Sequence, residues 1–188
     1  MFACTRFCSC SPLPSSRTKH SILLVLAIDP ISHQAYVSAK LGHINCESVR
    51  AHLPSRAPEH ASVRYSTSGS FAYIAHISDH VFKGCSKCWK KNCTCKLALT
   101  DILFVLAAIK DAPASFFSLG IPCSALANYF SLTPNALLAL YQNDKPQYTT
   151  LIESLKGEQR LNFRISAQLN VFRGTIGLKT RVISFSKA

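Results

Sequence analysis

Residues 161 to 171 alternate between apolar and polar side chains without interruption, and this alternation constrains the fold more than any other part of the sequence. The segment reads LNFRISAQLNV, in which every odd-numbered residue is apolar and every even-numbered residue is polar. Such a repeat of two predicts a half-buried β-strand. Because a turn signal at Arg173-Gly174 and a second β-prone run, TIGLKTRVISF, follow it, we expect a C-terminal β-hairpin with a basic, amide-rich outer face.

Two earlier stretches have the composition of hairpins. In residues 21 to 41, β-prone runs flank Asp29-Pro30, and in residues 62 to 77 they flank Ser68-Gly69. The segment between them, from 47 to 61, is polar and contains two prolines, which is typical of a surface loop.

The middle of the chain has helical patterns. Thr100 can cap a helix that runs to about Lys110, and its residues are apolar on nearly every face, which predicts burial. A second helix is predicted to begin at Thr133-Pro134, and the Thr150 to Glu153 spacing of a capping box predicts a third.

These patterns together predict an α+β protein made of β-hairpins, a Cys/His knuckle, a small helical cluster and a C-terminal β-hairpin. We expect residues 1 to 20 to form a flexible tail. Residues 21 to 188 are then a single domain, with the cysteine-rich knuckle at 76 to 96.

The net charge favours a polyanionic partner. The chain carries 21 Lys and Arg against 9 Asp and Glu, a formal charge of +12. Such a balance favours RNA, DNA or an acidic membrane surface. Two segments, 83 to 96 and 160 to 188, are basic and contain no acid, and they flank a nearly neutral apolar region. An exposed ribbon of Arg and Asn in the second segment can follow phosphates, although an ordinary solvated face has the same composition.

Four cysteines lie within the segment GCSKCWKKNCTC, residues 84 to 95, with the spacing C-x2-C-x4-C-x-C. A C-x2-C pair supplies two thiolates to one zinc ion, and zinc takes four tetrahedral nitrogen or sulfur ligands. The gap of four is short for an all-cysteine finger, which favours a mixed site with an upstream histidine. The candidate ligands are Cys85, Cys88, Cys93, Cys95, His80 and His76. A redox-sensitive thiol cluster and structurally inert cysteines are the alternatives.

Lysines beside the cysteines offset thiolate charge and are available to phosphates. Trp89 can stack on an unpaired base or simply cover the knuckle. The predicted nucleic-acid contacts are Lys87, Trp89, Lys90, Lys91, Lys96, Arg164, Arg173, Lys179 and Arg181.

The N-terminal segment gives no export signal. Its apolar run from Ile22 to Ile28 ends at Asp29-Pro30 without a small-residue cleavage site, and no apolar run is long enough for a membrane span. We expect a protein of the cytoplasm, with the nucleus as the second compartment. A transit peptide stays open, and Cys4, Cys8 and Cys10 fall in this tail.

An enzyme is not expected. The sequence lacks a G-x-S-x-G elbow, a P-loop, a dinucleotide fingerprint and an H-E-x-x-H motif. Cys123 can lie at a helix N-terminus, where a thiol pKa is lowered, but a buried small hydrophobic role suits it as well.

HISDH and GCSKCWKKNCTCK, within residues 76 to 96, resemble the small, basic, cysteine-rich regulatory proteins of RNA viruses, particularly plant viruses. In those proteins a Cys/His knuckle beside lysines accompanies RNA binding and suppression of host RNA silencing. The ligand spacing here departs from their longer finger, so the resemblance implies a function class and no residue roles.

The function predicted from the sequence is therefore zinc-dependent, non-catalytic binding of nucleic acid, with RNA expected. The alternative is a zinc-stabilised adaptor that docks a host or partner protein through its apolar helices. Binding that falls steeply with salt distinguishes the first from the second.

Overall fold

A computed structural model of the protein describes residues 26–28, 35–53, 61–88, 94–95, 97–112, 115–172 and 174–188. Within these ranges the chain forms both strands and helices, as expected of an α+β protein. The strands are β1 (Leu26–Ile28), β2 (Ala35–Ser38), β3 (Ser62–Ile74), β4 (Val81–Cys85), β5 (Leu99–Ala112), β6 (Ser115–Pro122), β7 (Leu161–Phe172) and β8 (Thr175–Lys187). The α-helices are α1 (Cys46–His52), α2 (Cys123–Tyr129), α3 (Pro134–Asn143) and α4 (Lys145–Glu153), and short 3-10 helices lie at Leu41–His43 and Ile77–Asp79.

Five of the strands close into a barrel. The sheet has the order β1-β2-β3-β7-β8-β6-β5-β4, and β3 also pairs with β5, so β3, β7, β8, β6 and β5 form a ring. Neighbours in the ring are antiparallel except β6 and β8, which are parallel and share the register pair Gly120 with Arg181. β1 and β2 extend the sheet from β3, and β4 pairs with β5.

Strand β3 closes the ring by changing its partner half-way along. Its residues Ser62 to Gly69 pair with β7, and Ser70 to Ile74 pair with β5. The predicted hairpin at Ser68-Gly69 is therefore wrong, because both residues continue the ladder with β7. Gly69 is needed instead for close packing of backbones, since a Cβ there would lie 2.6 Å from the Lys110 carbonyl oxygen.

The predicted helix from Thr100 to Lys110 is also wrong, because these residues form most of β5. The segment is apolar on both faces because one face lies in the core of the barrel and the other carries exposed apolar side chains. Val105, Ala107 and Ile109 point into the barrel and are buried, whereas Leu106 lies on the outside and is 48% exposed.

The predicted helix start at Thr133-Pro134 is confirmed, and the Thr133 hydroxyl accepts a hydrogen bond from the Ala136 N–H at 3.1 Å. The next helix begins earlier than predicted. The Asp144 carboxylate caps α4 by accepting from the Gln147 N–H at 3.0 Å, so Thr150 lies inside the helix and the predicted capping box is wrong. Helix α1 occupies part of the predicted 47–61 surface loop, and residues 54–60 lie outside the described residues.

The two terminal hairpin predictions agree with the strand pairing. β1 and β2 pair antiparallel on either side of Asp29-Pro30, which lies outside the described residues. β7 and β8 pair along their whole length, and Gly174 in the turn has a φ of 78°, a conformation that favours glycine.

Aromatic side chains fill the centre of the barrel, and helices cover its ends. Phe71, Phe163 and Phe185 contact one another with ring centroids 5.4 to 5.8 Å apart. At one end, Tyr129 of α2 stacks on Phe185 at 4.6 Å, and at the other end Tyr65 lies near the Ser48 hydroxyl of α1 at 3.3 Å. No helix in the described parts of the chain is long and apolar enough to span a bilayer.

We expect Gly69→Ala to lower the free energy of unfolding by about 1 to 3 kcal/mol, because the added methyl group meets backbone that cannot move without opening the β3–β5 seam. Urea denaturation followed by far-UV dichroism measures this loss. Gly177→Ala on β8 is the matched control, since the nearest atom to its added Cβ is 3.9 Å away. Equal stability of the two variants would contradict closure at Gly69.

Candidate functional site

Three cysteines converge at the end of the β4–β5 hairpin, and we call them the thiol cluster. Cys85 is the last residue of β4 and is buried, and Cys88 and Cys95 lie in the turns that follow. Their three Sγ atoms lie within 4.8 Å of one another, and the Cys88 and Cys95 sulfurs are 3.8 Å apart. Sulfurs bound to one tetrahedral zinc ion at about 2.3 Å are themselves about 3.8 Å apart. The thiol cluster could therefore hold a metal ion.

The hairpin that carries the thiol cluster is fixed at its base. Cys85 pairs with Leu99 across the hairpin, and the Lys83 ammonium lies 2.8 Å from the Asp101 carboxylate. This ammonium lowers the pKa of Asp101, and the Gln142 amide of α3 donates to the same carboxylate at 2.9 Å. Because the Lys83 side chain is 68% exposed, this ion pair adds little to the stability of the protein and mainly holds the two strands in position.

His80, a predicted metal ligand, has both ring nitrogens in hydrogen bonds. It is fully buried, with Nε2 2.9 Å from the Ala75 carbonyl oxygen and Nδ1 2.8 Å from the Tyr148 hydroxyl. Since a carbonyl can only accept, Nε2 carries the proton and Nδ1 accepts from Tyr148. Burial lowers the pKa of His80, which favours this neutral form. His80 could bind a metal ion only after losing one of these hydrogen bonds.

His76, the other predicted histidine ligand, is exposed and caps the short helix at Ile77–Asp79. Its Nδ1 accepts from the Ser78 N–H at 3.4 Å and lies 2.9 Å from the Ser78 hydroxyl. The structure thus brings together Cys85, Cys88 and Cys95 of the predicted ligand set and places neither histidine in that group.

The predicted basic residues are distributed over different parts of the surface. Lys87 is exposed in the turn between two cysteines of the thiol cluster. Lys179 and Arg181 are exposed on β8, whereas Arg164 is exposed on β7. The predicted site residues that lie outside the described residues are Trp89, Lys90, Lys91, Cys93, Lys96 and Arg173.

A surface that the sequence analysis missed lies on the outside of β5 and β6, and we call it the outer β5–β6 face. Tyr73, Leu106 and Phe116 are 60%, 48% and 58% exposed there. The register places them on one face of the sheet, because Tyr73 pairs with Ala108, Leu106 with Gly120, and Lys110 with Phe116. Direct cross-strand partners share a face, so these apolar side chains and the Lys110 ammonium belong to one surface.

Phe104 extends this face towards β8. Its ring lies over Gly120, where an added Cβ would overlap the ring. The Arg181 guanidinium lies 5.9 Å from the centroid of the same ring, within the range of a cation–π contact. The outer β5–β6 face therefore combines aromatic rings with two cationic groups, from Lys110 and Arg181.

A cavity of about 320 Å³ adjoins Lys110, but its charges are balanced. Lys110 and Arg160 line it together with Asp111 and Glu158, and the Asp111 carboxylate accepts the Leu41 N–H at 3.1 Å. The candidate binding surface on this side of the barrel is therefore the group of exposed aromatic rings and not the cavity.

The sequence contained one signal for the outer β5–β6 face. Val105 and Ile109 are β-branched and lie in an apolar run. Such a run is typical of a strand that is apolar on both faces as well as of a buried helix. Reading it as a helix placed Leu106 in a core and hid its pairing with β6.

Cys123 lacks the features of an activated nucleophile. It begins α2, its Sγ lies 3.4 Å from the Pro134 carbonyl oxygen, and burial raises its pKa to about 11. Burial therefore outweighs any lowering of the thiol pKa by the helix N-terminus, and the thiol is protonated near neutral pH.

This chain is similar to known proteins in its fold alone. No protein-family model and no curated protein matches the sequence. A chain from a structure of a replication protein A heterotrimer bound to ssDNA superposes with a TM-score of 0.56 at 10% identity, covering 80% of this chain and 36% of that chain. Yeast RPA bound to ssDNA matches with a TM-score of 0.42 at 17% identity, covering 72% of this chain and 83% of that one.

The barrel defines the class of fold. In chain order its strands are β3, β5, β6, β7 and β8, and α2 to α4 lie between the third and the fourth. A five-stranded Greek-key barrel of this kind is the oligonucleotide/oligosaccharide-binding fold, or OB fold. The chain spans about a third of the length of the first replication protein A chain.

The burial of neutral His80 predicts a loss of stability on acidification. Its pKa in the folded protein is below the ordinary value of 6.5, so the unfolded chain binds the proton more readily. The stabilisation is present above pH 6.5 and is lost as the pH falls below that value. We expect wild-type stability to fall more steeply from pH 7 to pH 5 than that of His80→Gln, which keeps one donor and one acceptor but does not titrate.

Both proteins are compared by urea denaturation in chelator, so that metal release does not contribute. Parallel curves for the two proteins would contradict a buried neutral imidazole at this position.

Proposed function

We propose that this protein binds single-stranded nucleic acid on the outer β5–β6 face, without catalysis. The observation that carries the proposal is the surface of exposed rings, Tyr73 and Phe116, beside the cationic groups of Lys110 and Arg181. Exposed aromatic rings stack on unpaired bases, and adjacent cations attract the phosphates. The corresponding face, on the second and third barrel strands, binds oligonucleotides in other OB folds.

The polymer that this face suits best is a single strand. Bases in a duplex are already stacked and paired, so their faces are not available to Tyr73 or Phe116. The replication protein A heterotrimer with the similar fold was solved bound to ssDNA, which supports DNA as a ligand alongside the RNA expected from sequence. The viral resemblance and the role in silencing stay predictions, and they would require binding of RNA in the same assay.

The adaptor alternative has less support. It requires apolar helices that receive a partner, but Leu126, Leu137 and Ile152 of α2, α3 and α4 are buried in the protein's own core. Among the described residues, none of the large exposed hydrophobic side chains lies on these helices.

We further propose that the thiol cluster holds zinc and orders the loop at the end of the β4–β5 hairpin. Cys85, Cys88 and Cys95 supply three thiolates, and Cys93, one of the six candidate ligands from the sequence, is the fourth. Zinc would hold Lys87 and its neighbouring lysines near the end of β5, where they extend the cationic surface. The loop between the first two barrel strands is one of the two that contact oligonucleotides in OB folds.

We expect Phe116→Ala and Tyr73→Ala each to weaken binding of a fluorescein-labelled oligothymidylate roughly tenfold, since one stacked base contributes about 1 to 3 kcal/mol. Fluorescence anisotropy at several salt concentrations measures the affinity. Gln147→Ala is the control, because Gln147 is exposed on α4, outside this face and outside the two loops between barrel strands that contact oligonucleotides in OB folds. The same assay with RNA and with duplex DNA ranks the ligands, and equal affinity for duplex and single strand would contradict stacking.

The zinc proposal predicts about one zinc ion per chain by elemental mass spectrometry of the purified protein. Cys85→Ser, Cys88→Ser and Cys95→Ser should each lose the ion, and Cys123→Ser should retain it, since its thiol lies in α2. Loss in Cys93→Ser would identify the fourth ligand. A wild-type protein without zinc, or a Cys88→Ser variant that keeps it, would refute the site.

A further inference from the structure

A second cationic site lies on the side of the barrel away from β6. Arg64 on β3 and Arg164 on β7 both point outwards, because Val63, Tyr65, Phe163 and Ile165 beside them are buried inside. The guanidinium carbons of Arg64 and Arg164 lie 5.9 and 5.1 Å from the centroid of the same ring, that of Tyr36 on β2.

The two arginines are diagonal neighbours in the sheet. Arg64 pairs with Ser166, and Ser66 pairs with Arg164, so two hydroxyls lie beside two guanidinium groups. Two guanidinium groups this close favour an anion that contacts both, and the planar, forked N–H donors of arginine match the geometry of phosphate oxygens.

The register connects this site to the outer β5–β6 face. One row of direct cross-strand partners crosses the whole outer surface: Leu106, Gly120, Arg181, Ser166 and Arg64. Arg181 and Arg64 are two strand spacings apart in this row, or about 10 Å. β3, β7 and β8 contain no Asp or Glu, so no acid from these strands interrupts the row.

We infer that Arg64 and Arg164 form a second phosphate site, which binds the backbone of a single strand after the strand leaves the outer β5–β6 face and crosses β8 at Arg181. This inference rests on the proposed function and extends it, since it gives the strand a direction around the barrel. The ligand chemistry at the second site is the phosphodiester group alone, because the ring beneath the arginines, Tyr36, is only 3% exposed and cannot stack on a base.

The test compares short and long oligothymidylates of about 6 and about 20 nucleotides, which bracket much of the range of roughly 4 to 16 that OB folds occupy. The double variant Arg64→Gln/Arg164→Gln should bind the short oligonucleotide as wild type does. Its affinity for the long one should fall, and the salt dependence should weaken by about 0.7 in log–log slope for each lost phosphate contact. Fluorescence anisotropy across a salt series gives both quantities.

The matched control is Arg50→Gln/Lys145→Gln, which removes the same charge, and Lys145 also lies over a ring, 5.5 Å from the centroid of Tyr141. This control should keep the wild-type slope with both oligonucleotides. Thermal melting checks folding, and Arg164→Gln alone, at an exposed position, replaces the double variant if that variant melts early.

The outcomes separate the two proposals. If the double variant loses nothing, or loses equally on short and long oligonucleotides, the second site is wrong while binding at the outer β5–β6 face stands. If wild type binds neither oligonucleotide at low salt, the proposed function itself is overturned.

Discussion

The pairing of β3 with two different strands is the constraint on which the rest of the structure depends. Without the change of partner at Gly69 the sheet would stay open, with β5 and β7 at a distance from each other. Closure buries Phe71 against Phe163 and Phe185, and it turns the alternate residues of every barrel strand outwards. The outer β5–β6 face and the row that leads to Arg64 both exist because the same closure fixes the register between β3, β5 and β7.

One buried polar contact links the barrel to the helices that cover it. Thr67 and His80 are the buried polar residues within the described ranges, and His80 joins the turn after β3 to Tyr148 of α4. A buried imidazole with two well-placed partners contributes positional specificity that apolar packing does not. The same two hydrogen bonds occupy both ring nitrogens of His80, so the candidate metal ligands that the structure brings together are the cysteines of the thiol cluster.

Strands and helices could be predicted from the sequence where one face is apolar and the other polar, or where a capping motif marks the start. The prediction was wrong where both faces of a strand are apolar. Strand β7 was predicted because its inner residues are apolar and its outer residues are polar, and α3 because Thr133 and Pro134 mark its start. Strand β5 was missed because its outer face carries Leu106 and Phe104 rather than polar groups, and periodicity cannot distinguish such a strand from a buried helix. The residues that conceal the strand are the ones that form the candidate interface.

Metal ligands that are close in sequence could be predicted, whereas surface residues that the fold brings together from distant strands could not. Local spacing was enough to identify Cys85, Cys88 and Cys95, because a short hairpin end brings close residues together. The partners of Arg181 lie about sixty residues earlier on β6 and about fifteen earlier on β7, a relation that only the register supplies.

The residues proposed for binding and the residues of the core are therefore different residues of the same strands. Val182 and Phe185 of β8 point inwards and are buried in the core, whereas Arg181 points outwards over Phe104. The net charge of +12 is compatible with a stable fold because cations of β3, β7 and β8 lie on the outer surface, in solvent and against aromatic rings, rather than among the buried side chains. Repulsion along that surface lowers stability, and a polyanion laid across it would reverse the effect. A barrel with this charge distribution is consequently expected to be more stable with a bound polyanion than without one.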